Sequence, residues 1–131
     1  MNITLTAEHD AYWDNGCLLL RAVDTDLADN NIVGEVSLYD HDPLNMRSSF
    51  GIEVYPQFRR QGYGTLMLRE LHTLCRDVLH LHQLYVDVRD TNLVSQHLFE
   101  AAGYRHVGLL NDWEHDGYRF HDAYRYQYIL N

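Results

Sequence analysis

The chain contains no lysine. All ten of its basic residues are arginine, set against nineteen Asp and Glu, and the formal net charge at pH 7 is −9. With no basic stripe to displace counterions from a phosphate backbone, a nucleic-acid partner is excluded. Cysteine is scarce: Cys17 and Cys75 stand far apart with no CxxC. That spacing argues against a disulfide framework and a zinc site, and it fits the reduced thiols of a cytoplasmic protein. Two prolines and eight glycines are scattered without a linker, a low-complexity tract or a repeat. No apolar run approaches the roughly 18 residues that a bilayer span needs. The start, Met1-Asn2-Ile3-Thr4-Leu5, lacks the basic and apolar regions of a leader, so a soluble, unexported chain with no membrane partner is expected.

What is present suits one packed domain over residues 1–131, of which 46% are hydrophobic. Residues 17–23 and 32–39 read as strands of a β-hairpin across the polar turn from Asp24 to Asn31, and residues 49–55 as a third strand that stops at Pro56. From Thr65 the apolar period becomes helical: Leu68, Leu71, Leu74, Cys75 and Val78 fall on one stripe, beside Met67, over about four turns. Residues 84–88 read as a strand. Asn92 then caps a short helix that ends at Gly103, with Val94, Leu98 and Ala101 on its expected buried side. Residues 104–110 and 123–130 complete the set, the last alternating Tyr124, Tyr126 and Tyr128 with Arg125 and Gln127. An α/β fold is expected, with a mixed, mostly antiparallel sheet and helices on its faces.

The most informative segment joins the third strand to the first helix: Val54-Tyr55-Pro56-Gln57-Phe58-Arg59-Arg60-Gln61-Gly62-Tyr63-Gly64-Thr65. Two glycines at the mouth of a helix free backbone N–H groups to point at an anion, and the helix dipole adds a favourable field. Arg59 and Arg60 add positive charge there in an otherwise acidic chain. Neither a G-x-G-x-x-G nor a Gly-Lys-Ser/Thr follows, which removes the dinucleotide and P-loop readings.

Arg59-x-x-Gly62-x-Gly64 resembles the R/Q-x-x-G-x-G/A signature of the GCN5-related N-acetyltransferases (GNAT). Asn92-x-x-Ser95-x-x-Leu98-Phe99-Glu100-x-x-Gly103-Tyr104 resembles the second motif of that family, at the proper separation. The stretch from Trp113 to Tyr128 is similar to the subgroup of spermidine and ribosomal-protein N-acetyltransferases, and the resemblance covers about residues 32–130.

The resemblance implies acetyl-CoA as donor, lying where strands 50–55 and 84–88 splay apart. Ile52, Glu53 and Val54 would hold the pantetheine arm and acetyl carbonyl through their backbones. Arg59, Arg60, Gln61, Gly62, Tyr63, Gly64 and Thr65 would take the pyrophosphate, and Asn92, Ser95 and Phe99 would meet the donor from the second helix. A splay rich in amides polarises a thioester carbonyl as an oxyanion hole does. Two departures stand out. The tyrosine that protonates the departing thiolate in the family is Phe99 here, so a water, Tyr104 or another hydroxyl would have to serve. Only Met1 to Gly16 precede the hairpin, so the usual N-terminal strand and helices are expected to be shortened or absent. That leaves the acceptor site open, or closed by a second subunit of a homodimer, or the chain a truncated form.

Direct acetyl transfer to a primary amine of a small molecule or peptide, namely a polyamine, a protein N-terminus or an amino sugar, needs no metal and no covalent enzyme intermediate. Glu53 is the first candidate base, Glu35 and Asp87 stand in reserve, and Asp122 is a candidate to orient a cationic acceptor. The nine histidines do not fall at ligand spacing, and no metal is expected. The alternative reading is a catalytically weak acyl-CoA-binding or regulatory module of the same fold.

Overall fold

A computed structural model describes residues 1–7 and 16–131. Seven strands form one sheet: β1 (Ile3–Ala7), β2 (Leu18–Asp24), β3 (Ile32–Asp42), β4 (Arg47–Val54), β5 (Gln83–Arg89), β6 (Arg105–His115) and β7 (Phe120–Ile129). Among the described residues two α-helices, α1 (Tyr63–Asp77) and α2 (Leu93–Ala101), follow β4 and β5. The spatial order is β1-β2-β3-β4-β5-β7-β6, and every neighbouring pair is antiparallel except β4 with β5. A strand does precede the hairpin: β1 pairs with β2 from Ile3 opposite Asp24 to Ala7 opposite Leu20. Of the N-terminal elements expected to be shortened or absent, a strand of five residues is therefore present. The expectation about the N-terminal helices falls on residues 8–15, which lie outside the described residues.

Both helices pack on one face of the sheet, because apolar residues at alternate strand positions all point there. Val36, Leu38 and Phe50 meet Met67, Leu68 and Leu71 of α1 in a single buried cluster. Gly34 is required by close approach, since a Cβ at this position would stand 2.1 Å from the carbonyl oxygen of Glu53. The three tyrosines of β7 also lie on this covered face. Tyr126 is fully buried and donates to Glu100 Oε1 at 2.9 Å, and Tyr128 stacks on His72 of α1 with centroids 4.2 Å apart. They belong to the core or pack against it.

Helix α2 is rotated from its sequence reading. Phe99 is its buried residue, while Val94 is 82% exposed and Ala101 is exposed. Two other elements run longer than the pattern suggested. Strand β3 continues past Tyr39 to Asp42 through a register shift, and β6 continues past Leu110 to His115 through another. Asp40 and Asp112 take left-handed backbone angles at these irregularities, which breaks the alternation that sequence reading depends on.

Candidate functional site

Strands β4 and β5 run parallel and pair at only three positions, from Arg47 opposite Gln83 to Ser49 opposite Tyr85. Beyond Ser49 they diverge. The N-terminal ends of α1 and α2, which follow β4 and β5, both line the opening. The side chain of Leu98 on α2 sits against Gly64 of α1, at 3.4 Å from where a Cβ would be. The result is a cleft that passes through the sheet.

Which backbone groups face the cleft follows from alternation. Tyr55 N–H bonds to Val33 O on the β3 side at 2.9 Å. Stepping back by twos, Glu53 also turns its backbone to β3, opposite Glu35. Phe50, Ile52 and Val54 therefore turn theirs to the open side. Two bonds agree with this: the Tyr39 hydroxyl donates to Phe50 O at 3.0 Å, and Arg59 Nε donates to Val54 O at 2.8 Å. Of the residues expected to make backbone contacts, Ile52 and Val54 turn their amides and carbonyls to the cleft. Glu53 does not, because its amide and carbonyl belong to the β3 ladder.

One end of the cleft is an anion cradle. Gly62 is the N-cap of α1 at φ +93°, with nothing within 4 Å of a Cβ built there. Its carbonyl accepts the N–H of Leu66 at 3.4 Å, so the amides of Tyr63, Gly64 and Thr65 precede the first such bond of the helix. Arg59 and Arg60 line the same cavity of about 650 Å³ and are both exposed. Arg60 holds a left-handed backbone at φ 63°, which turns the chain into the glycine. Gln61 is exposed and gives its side-chain amide to Gln57 O at 3.2 Å, outside the residues that line the cradle. The Tyr63 side chain points into the core, where its hydroxyl donates to Asp24 Oδ2 at 2.6 Å; that bond pushes the phenol up to about 12.

From the cradle the cleft continues past Ile52, Asn92 and Ser95 into a second cavity of about 430 Å³ between the diverged strands. Asn92 Oδ1 accepts Ser95 N–H at 3.2 Å and caps α2. Phe99 forms part of the wall, packed edge-on to Phe50 at 5.7 Å. Tyr104 does not reach the cleft. It is buried behind Phe99, its hydroxyl 2.7 Å from His72 Nε2, and burial pushes its phenol far above the usual range. A proton donor for the cleft is therefore not found at Tyr104, because its hydroxyl is spent within the core.

The far side of the cleft opens on the sheet face away from the helices. Glu53 and Glu35 face each other across β3 and β4 there, with the Tyr55 hydroxyl 3.4 Å from Glu35 Oε2. Asp87 lines the cleft, but Arg125 holds both of its oxygens, at 2.8 and 2.9 Å, with the guanidinium 4.8 Å above the Tyr85 ring. Asp122 serves the β6–β7 hairpin instead of the cleft, accepting Asp112 N–H at 2.9 Å. Among the wall residues that went unread in the sequence are Tyr39, Arg89 and Glu114. Tyr39 could have been found from its place on β3 opposite Ser49, but Glu114 lies beyond a bulge that the alternation does not reveal. Among the described residues no group of three His, Cys, Asp or Glu gathers at metal-binding distance, and no helix is long and apolar enough to cross a membrane.

A parallel pair that splays open, an extended backbone edge and a helix N-terminus together make one continuous groove. The sequence matches the acetyltransferase (GNAT) family over residues 3–104, and the chain belongs to that family. It is 32% identical over 73 residues to an N-alpha-acetyltransferase of Sulfurisphaera tokodaii, a match that covers 56% of this chain and 42% of that protein. The chain thus spans less than half the length of the curated relatives it matches. Among solved structures, a spermidine N-acetyltransferase SpeG chimera from Vibrio cholerae and hSSAT superposes with a TM-score of 0.83 at 23% identity, over 89% of this chain and 70% of that one. A dodecameric spermidine N-acetyltransferase from Vibrio cholerae gives 0.81 at 22% identity, over 89% and 67%. At those identities the likeness is one of fold.

Proposed function

We propose that residues 1–131 form one acetyltransferase domain that moves an acetyl group from acetyl-CoA directly to a primary amine. The observation that carries this reading is the continuity of the cradle with the splay. The amides of Tyr63, Gly64 and Thr65 suit a diphosphate, and the open backbone edge of Ile52 and Val54 suits the amides of a pantetheine arm. Bound acetyl-CoA supplies an activated acetyl thioester. The N–H groups of the splayed edge are fixed before any ligand arrives, so they polarise a carbonyl without reorganising. The acceptor enters from the face that carries Glu35, Glu53 and Asp87, whose sign favours a cationic amine. Glu53, exposed and beside the groove, is the base of this reading, acting through water. Polyamines, protein N-termini and amino sugars are the acceptor classes to compare.

The test is thermal stabilisation by saturating acetyl-CoA, followed by free-thiol release with a panel of amines. Stabilisation together with thiol release that depends on an amine supports the reading, and the absence of both ends it. A second reading, an acyl-CoA-binding module that turns over poorly, is favoured by Phe99 in the wall and by the Tyr104 hydroxyl spent on His72. It expects stabilisation with no thiol release above background. A cytoplasmic homodimer completes the proposal. Support for association comes from β6, an edge strand on which Val107, Leu109 and Trp113 are exposed, and the mass by light scattering tests it.

A further inference from the structure

The cavity between the diverged strands is lined by two carboxylates, Asp87 from β5 and Glu114 from β6. They differ in what they have left to give. Both oxygens of Asp87 are taken by Arg125 in a two-point grip. Glu114 Oε2 is buried and has no hydrogen-bond partner, although the side chain as a whole is 39% exposed. Its nearest cation, Arg89 Nε, is 3.9 Å away, too long for a hydrogen bond. Oε2 is turned inward toward Arg89, while the rest of the side chain stays open to the cavity, so a carboxylate that no protein donor satisfies is left to accept from a ligand carrying N–H donors.

We propose that Glu114 is the anchor for the acceptor's ammonium group, the residue that draws the amine into the cleft and selects for its positive charge. This rests on the acetyltransferase reading and deepens it. The hairpin is built to hold Glu114 in place. Its cross-strand neighbour His121 is fixed by Asp116 Oδ2 at 2.6 Å, and Asp116 Oδ1 also takes the N–H groups of Tyr118 and Arg119. The bulge between Leu110 and Glu114 turns the strand so that the carboxylate reaches the cleft. On β7, Ala123, fully buried, pairs with Arg89 on one side and Leu110 on the other, and Glu114 pairs with His121. The charged and titratable groups about Glu114 are Arg89 and Asp87 from β5, Arg125 and His121 from β7, Asp116 from the hairpin turn and Tyr39 from β3. Of these, Asp87 with Arg125 and Asp116 with His121 are already paired, so the long contact to Arg89 is the one an ammonium has to share.

The test measures binding and needs no turnover. Calorimetry with CoA-saturated protein would use spermidine and a short peptide with a free α-amino group as probes, on wild type and on Glu114→Gln, which keeps shape and removes charge. Glu114→Gln is expected to weaken both probes by tenfold or more near pH 7. Near pH 9 the loss should shrink for the peptide, whose α-amine is then mostly neutral, and persist for spermidine, whose alkylamines stay charged. In turnover the same substitution should raise KM for the amine far more than it lowers kcat. Equal affinities for wild type and Glu114→Gln, or a peptide loss that does not change with pH, overturns the anchor. Wild type that binds neither probe overturns it as well. A Glu114-dependent affinity without stabilisation by acetyl-CoA or thiol release would overturn the acetyltransferase reading and keep the anchor.

Discussion

The hydroxyl of Tyr63 donates to Asp24 Oδ2 at 2.6 Å, while Oδ1 of the same carboxylate accepts the N–H groups of Asn2 and Asp26 at 3.0 Å each. One buried carboxylate thus ties the first residue of α1 to β1 and to the end of β2, across 39 residues of sequence. The pair holds the anion cradle against the strand edge of the sheet. Tyr63→Phe keeps the ring and removes the donor. It should lower the thermal midpoint by about 5 °C and weaken acetyl-CoA binding, because the amides of the first turn are no longer fixed. Unchanged acetyl-CoA affinity would mean that the cradle is held by packing against Phe58 alone, which meets the Tyr63 ring edge-on at 5.7 Å.

Gly62 separates charge from backbone effects. Its φ of +93° strains any side chain, but the space around a Cβ there is open. Asn and Asp tolerate left-handed angles about equally. Gly62→Asn should therefore keep most of the acetyl-CoA-dependent rise in midpoint, whereas Gly62→Asp, with a carboxylate where the diphosphate sits, should abolish it. Similar shifts for the two variants would remove the cradle from the donor site.

Phe99→Tyr places a phenol in the cleft wall at the cost of one oxygen. If thiolate departure limits the rate, general-acid help of about 10²-fold becomes available, and kcat should rise while acetyl-CoA affinity stays nearly unchanged. The gain should be larger at high pH, where the acceptor amine is already neutral. A flat or reduced rate in a variant that still binds acetyl-CoA would show that another proton source, such as water, already serves, or that chemistry is not the slow step.

His72 gives a prediction in pH. Burial, with a smaller contribution from Arg76, holds it neutral and lowers its pKa to about 4, from an ordinary value of 6.5. The unfolded chain binds this proton more readily than the folded one, so stability rises with pH across that interval. The contribution of His72 is complete above about pH 6.5 and is lost as pH falls toward 4. The midpoint difference between wild type and His72→Gln, measured by calorimetry, should therefore narrow on acidification. A constant difference would mean that His72 does not titrate in that range.

The strand-and-helix order from residue 17 onward, the Asn92 cap and the Gly62–Gly64 helix mouth were legible because each is encoded locally, by period, capping chemistry or backbone freedom. The cleft wall was less so. Helix α2 buries Phe99, and Val94 is left exposed, because packing against Phe50 and Tyr126 set its rotation, and nine residues give a weak periodic signal. Tyr104 reads as a spare hydroxyl until His72, thirty-two residues away, is found beside it. Glu114 was hidden by the bulge, and the commitment of Asp87 to Arg125 spans 38 residues. Sequence reading finds which groups exist, but whether a group is free depends on contacts made at a distance along the chain.

The three register positions that join β4 to β5 make this sheet, mechanically, two sheets with a seam. On one side stand β1 to β4, closed by hairpin pairing, and on the other β5, β7 and β6, held together by the longer β5–β7 and β6–β7 ladders. A molecule laid along the open edge of β4 and against the N-terminus of α2 touches both blocks and works as mortar between them. Amide protons on the two flanks of the seam would then exchange as separate cooperative units in the empty protein and as one unit once the groove is filled.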